Sequence, residues 1–225
     1  MTPPIKPMTP TRMAARTALI LFLFVAVFTA MLSGAYLWTR PFIEASATEE
    51  KMKLIDEVLP RERYDNKLLD DFVTLDATPE LGFGEPARIL RARKDGKIVA
   101  LVFEAVAPDG YAGRIRLLLT LGLDGRIIGV RVIEHKETPG LGDYIEPQKD
   151  HDKARPWITQ FNELAPATID AREWKVKKDG GRFDSMAGAT VTPRAVIKAV
   201  HKAALFVAAN SERILASGEQ KTEGG

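Results

Sequence analysis

The sequence has no cysteine and only three histidines among its 225 residues. The first absence excludes a disulfide framework, cysteine-ligated iron–sulfur clusters and thiolate zinc sites on this chain. The histidines, His135, His151 and His201, stand too far apart in sequence to show metal-ligand spacing. There is no P-loop, no nucleophile elbow and no paired-carboxylate pattern of the kind a hydrolase uses. Gly82-Phe83-Gly84 lacks the third glycine of a dinucleotide fingerprint and has no clear strand before it. No basic stripe with interleaved aromatics appears, so nucleic acid is not an expected partner.

Another absence points to a compartment. No charged residue occurs from Thr17 to Trp38, and the run is almost wholly apolar. As a helix it is roughly 33 Å long, enough to cross the hydrocarbon core of a bilayer. Tyr36 and Trp38 stand at its far end, as interfacial aromatics do. Lys6, Arg12 and Arg16 precede it, whereas Glu44, Glu49 and Glu50 follow Arg40. The positive-inside rule then puts the N-terminus in the cytoplasm and everything after residue 40 across the membrane. A cleaved signal peptide is the alternative, with Ser33-Gly34-Ala35 and Ala45-Ser46-Ala47 as cleavage sites, although the apolar run is long for that. Four of the 32 basic residues lie at or before residue 40, which leaves 28 against 30 acidic ones, a net −2. The positive charge of the chain is therefore a topology signal.

The rest of the chain divides by pattern. Residues 1–16 read as a polar cytoplasmic tail rich in proline. Ile55, Val58 and Leu59 form one helical face, ending at Pro60. Residues 60–86 read as loop, broken by Pro79, Gly82, Gly84 and Pro86. Strands are predicted at 87–92, 98–106, 114–120 and 126–134, separated by Asp95-Gly96, Pro108-Asp109-Gly110 and Asp124-Gly125. Close spacing without intervening helices predicts an antiparallel sheet. A helix broken or started near Pro156 is expected over 153–164, a short last strand at 174–176, and a helix over 194–209 with Val196, Val200, Ala204 and Val207 on one face. Strands first and helices afterwards give an α+β fold. The expected division is a tail (1–16), a transmembrane helix (17–38), a membrane-proximal helix and linker (39–86), a folded domain (87–210) and a polar tail (211–225).

Two stretches carry chemistry. Asp184-Ser185-Met186-Ala187-Gly188-Ala189-Thr190-Val191-Thr192 ends in Pro193. Thr192-Pro193 reads as an N-cap and first helical position. Thr190 is then just outside a helix N-terminus, where backbone N–H groups and the helix dipole favour a phosphate. Taken alone, the stretch also reads as a plain capped junction. Glu137-Thr138-Pro139-Gly140-Leu141-Gly142 follows a strand and forms a tight loop, which taken alone is an ordinary turn.

Asp-x-x-x-Gly-Ala-Thr-x-Thr resembles the flavinylation motif of the FMN-binding domains in the Rnf (or Rsx) and sodium-pumping NADH:quinone reductase complexes. Ala187 departs from it, since the family usually has Ser or Thr there. His135 to Gly142 and Gly110-Tyr111-x-Gly113-x-Ile115 resemble two further stretches of that family, in the same order. The resemblance implies FMN joined by a phosphoester to Thr190, with Asp184, Gly188 and Ala189 in the attachment segment. It implies that Thr138 and Leu141 contact the flavin ring, with Trp157, Trp174, Tyr111 and Tyr144 as further aromatic candidates. It also implies no catalytic residue in the strict sense, no resident metal, a flavin transferase that moves FMN from FAD with Mg²⁺, and partner subunits in the inner membrane. Within the family the pattern resembles the G subunit of Rnf, an electron carrier between ferredoxin and NAD. The C subunit of the sodium-pumping reductase, or an anchored assembly module without flavin, stay open as alternatives.

Overall fold

A computed structural model describes residues 10–76 and 78–216. Of the expected tails, 1–16 and 211–225, residues 1–9 and 217–225 lie outside the described residues, and residues 10–16 are helical rather than an irregular tail. The chain divides into two compact units, 1–51 and 52–225. The first is one helix, α1 (Pro10–Val58), whose last turns belong to the second unit. Its segment Pro10–Arg40 is long and apolar enough to span a membrane, and none of its most apolar stretch is buried.

The second unit is built on a five-stranded sheet: β1 (Phe72–Leu75), β2 (Ala87–Lys94), β3 (Lys97–Gly110), β4 (Gly113–Gly122) and β5 (Ile127–Glu134). Every neighbour pair is antiparallel and the strand order is the chain order. Asp95 and Gly96 both take positive φ, 50° and 76°, and close the β2–β3 hairpin in two residues. Such mirror-image turns match the twist of paired strands, which is why Asp-Gly marks them. β1 falls where the sequence predicts loop. It is a short edge strand with only one partner, too brief to show a period.

Alternation splits the strands between two faces. Leu101, Phe103, Ala105 and Ala107 of β3 and Ile115, Leu117, Leu119 and Leu121 of β4 join one core. Helix α2 (Val191–Ala209) packs on this face against β3 and β4, burying the predicted Val196, Val200, Ala204 and Val207. Ala100, Val102, Leu90, Ala92 and Leu118 point the other way, onto Ile55, Val58 and Leu59 from the end of α1 and onto Tyr64 and Leu68. Gly129 of β5 lies directly under Val58, where a Cβ would come within 2.9 Å of the Val58 Cα.

Three local expectations fail for identifiable reasons. Residues 153–164 form only a 3-10 turn, Trp157–Phe161, which starts at Pro156 as expected but is short and not α-helical. Asp150 accepts the N–H of Trp157, and Asp152 accepts those of Ala154 and Arg155. These side chains take the amides that a longer helix would use. Residues 174–176 give a single parallel bridge, Val176 to Phe183, rather than a strand. The expected polar tail begins with a helix, α3 (Ser211–Ala216), whose Ile214 is buried.

Candidate functional site

The loop after β5 is fastened by its own polar groups. The N–H groups of Leu141 and Gly142 both donate to the Thr138 carbonyl, at 3.1 and 3.2 Å. The Gly140 N–H donates to the Asp143 carboxylate at 2.8 Å. His135 Nδ1 accepts the Glu137 N–H at 3.0 Å, so the ring proton is on Nε2, which faces Glu146 Oε1 at 2.6 Å.

These bonds turn Glu137 inward, leaving it only 5% exposed. Its Oε1 accepts the N–H of Ala112 at 3.0 Å, and its Oε2 accepts the Thr192 hydroxyl at 2.5 Å. One carboxylate therefore joins the β3–β4 turn, the loop at 137–142 and the start of α2. It also accounts for Gly142, and at Gly110 it adds to the Gly113 carbonyl, which a Cβ would meet first at 2.2 Å. A Cβ on Gly142 would lie 2.6 Å from Oε2, and one on Gly110 would lie 2.9 Å from Oε1.

The N-cap of α2 is Thr190, not Thr192 as expected. Thr190 has φ −88° and ψ −17°, and its side chain makes no capping hydrogen bond. The first intrahelical bond runs from the Arg194 N–H to the Thr190 carbonyl at 3.3 Å. Pro193 is thus the third helical residue, still among the first positions that need no intrahelical donor. The Thr190 hydroxyl and the N–H groups of Val191 and Thr192 are left at the positive end of a 19-residue helix.

Tyr144 holds the approach to this helix. Its hydroxyl accepts the Met186 N–H at 3.3 Å and donates to the Ala189 carbonyl at 3.5 Å. The ring packs edge-on against Trp157 at 5.7 Å. Burial pushes the Tyr144 phenol up to about 12.

Thr138, Leu141, Gly188 and Ala189 come together in a recess of about 130 Å³, also lined by Tyr111, Glu137, Gly142, Val191 and Thr192. Thr190 stands between two of its lining residues. Among the described residues after Lys51, four large apolar side chains are exposed: Tyr111, Leu123, Leu141 and Val191. Three of the four ring this recess, at 71%, 48% and 45% exposure for Tyr111, Leu141 and Val191.

Asp184 is elsewhere. It lines a separate, more polar cleft of about 550 Å³ with Tyr144, Asp150, Trp157, Gln160, Ser185 and Met186. Its carboxylate pairs with Lys177 at 2.6 Å and is 61% exposed. Its backbone is fixed, with its N–H donating to Gln160 Oε1 and its carbonyl accepting the Trp157 indole N–H. Segment 184–192 is thus a wall with its acidic end in one hollow and its Gly-Ala end in another.

Residues 110–205 match a family model described as FMN-binding domain, and residues 8–58 match one described as RnfG N-terminal region. The G subunit of the ion-translocating oxidoreductase complex of Pseudoalteromonas atlantica is 41% identical over 92% of this chain and 94% of its own length. The corresponding protein of Pseudomonas aeruginosa is 43% identical over 92% and 95%, and that of Escherichia coli K12 is 45% identical over 83% and 87%. The chain belongs to the G-subunit family of ion-translocating oxidoreductase complexes. Membership makes it a component of such a complex with an FMN-binding domain and implies other subunits around it.

All the segments that form the recess fall inside the matched FMN-binding region. Of the aromatic candidates, Trp157, Trp174 and Tyr144 are core residues, and only Tyr111 is at the rim. Trp174 stacks on His201 at 4.5 Å, and burial holds that imidazole below its usual range. Sequence reasoning missed Glu137 and Thr192 as a pair and Val191 as a rim residue. The signal for Glu137 was Gly142, the glycine in its own loop that makes room for it.

Proposed function

We propose that this subunit carries electrons through FMN joined to the Thr190 hydroxyl by a phosphoester. The supporting observation is a coincidence in space. A threonine whose hydroxyl makes no capping bond sits at the positive end of a long helix, between Ala189 and Val191, which line a recess with an exposed apolar collar. The Val191 and Thr192 N–H groups suit a phosphate there. Leu141, Val191 and Tyr111 suit the flat apolar ring, with Thr138 at a polar edge. A recess of about 130 Å³ is smaller than enclosed ligand pockets usually are, so it fits a ring held partly in the open by a tether. Bound flavin supplies one- and two-electron transfer; the chain supplies position and electrostatics.

In this reading Thr190 is an acceptor during maturation, not a nucleophile in turnover. A flavin transferase moves the FMN half of FAD onto its oxygen. The pyrophosphate link breaks, AMP leaves and the hydroxyl proton is lost, with Mg²⁺ held by the transferase. Asp184 serves that enzyme from the other cleft by orienting or presenting the segment. The apolar helix crosses the inner membrane once, with residues 41–225 in the periplasm, and electrons pass between ferredoxin and NAD through the membrane subunits. Intact mass of the purified chain tests the attachment. The expected result is an added mass of one FMN less water, and an unmodified mass refutes it. A periplasm-only reporter after Gly225 should be active, and activity of a cytoplasm-only reporter there reverses the topology.

A further inference from the structure

Among the residues lining the recess, Glu137 alone carries a carboxylate. It is 5% exposed, and both of its donors, the Ala112 amide and the Thr192 hydroxyl, are neutral. The carboxylate is also held in place by those two bonds, and Gly142 leaves it room that a Cβ would take. A charge so fixed and so little hydrated acts at a lower effective dielectric than a surface charge, and salt screens it weakly.

We propose that Glu137 is a built-in negative charge that lowers the reduction potential of the flavin in this recess. The proposal rests on the reading that the flavin occupies the recess. Reduction adds electrons to the ring, and a neighbouring anion opposes that addition. The Thr192 hydroxyl bond draws off part of the charge, so the pair sets the strength of the effect.

The test is a spectroelectrochemical titration of the flavin-loaded full-length protein, at low and high salt. Glu137→Gln keeps the shape and the acceptor for Ala112 but removes the charge. The expected shift is at least tenfold toward the reduced form, about 30 mV upward for a two-electron couple. The shift should be the same at both salt concentrations. A purely structural role would alter thermal unfolding and leave the potential where it was, which overturns the proposal. Thr192→Val keeps the charge and removes its hydroxyl donor, so the potential should fall, and Thr192→Ser should restore it. If Glu137→Gln protein takes up no flavin, Thr192→Val decides: a fall supports the proposal, and no change or a rise overturns it. A wild-type chain without covalent flavin overturns the site reading, and this proposal with it. Loaded wild type with an unmoved Glu137→Gln potential overturns this proposal alone.

Discussion

The two hollows beside segment 184–192 share a wall and differ in almost everything else. The recess has an apolar rim, one buried carboxylate and the end of a long helix. The cleft is larger and lined by Asp150, Asp152, Arg155 and Asp184, with Asp184 already paired to Lys177. Rigid apolar surface near a helix terminus suits a permanent occupant. Asp150 is buried on the Trp157 amide, but the exposed charges of Asp152, Arg155 and Asp184 suit a partner that arrives and leaves, since such exposed pairs contribute little and are readily exchanged. In the proposed reading one nine-residue motif then serves two readers, one on each side.

The largest expected effect separates the two sides completely. Thr190→Val should abolish covalent flavin, read as in-gel fluorescence after denaturation, while unfolding free energy changes by less than about 1 kcal/mol. Flavin retained by that variant moves the attachment point, with Thr192 next. Asp184→Asn should come second, with most flavinylation lost in cells and thermal unfolding unchanged. Normal fluorescence per unit of protein would make Asp184 a bracing residue and nothing more.

The wall itself can be weakened from behind. The Tyr144 phenol is raised to about 12 when folded, against 10 in the unfolded chain. The folded state therefore prefers the protonated ring. Its contribution is complete below pH 10 and is lost as pH rises through 12, amounting to about 3 kcal/mol. Unfolding measured across that window should show the loss, and Tyr144→Phe should flatten it. A wild-type curve no steeper than that of the variant would mean the phenol titrates as if exposed. Gly142→Ala should cost about 1–3 kcal/mol by forcing Glu137 off its partners. Lys177→Ala should be nearly silent in stability, below about 0.5 kcal/mol, because its pair with Asp184 is exposed. A larger loss would mean that the cleft is structural after all.

What the sequence disclosed and what it withheld follow range of interaction. Strands β2 to β5 are legible because alternation and Asp-Gly or Gly turns are local signals. The buried face of α2 is legible for the same reason. The missing helix at 153–164 depends on Asp150 and Asp152 bonding forward to amides, which no periodicity records. The N-cap lies two residues earlier than expected because proline is tolerated anywhere in the first turn, so Pro193 fixes the helix start only loosely. Within the site, Thr138, Leu141, Gly188 and Ala189 are legible from motifs, whereas the Glu137–Thr192 bond links residues 55 apart and has no local signature.

Sheet order equal to chain order also has a consequence in time. Each strand needs only its immediate neighbour, so the hairpins close over short loops and form early. The three segments of the recess come instead from the β3–β4 turn, the loop after β5 and the start of α2. They meet only when the last long helix docks. In the proposed reading the surroundings of Thr190 are therefore completed at the end of folding, and its modification would mark a finished chain. Pulsed hydrogen exchange during refolding should protect the amides of β3 and β4 before those of α2, and the reverse order would remove that link between maturation and folding.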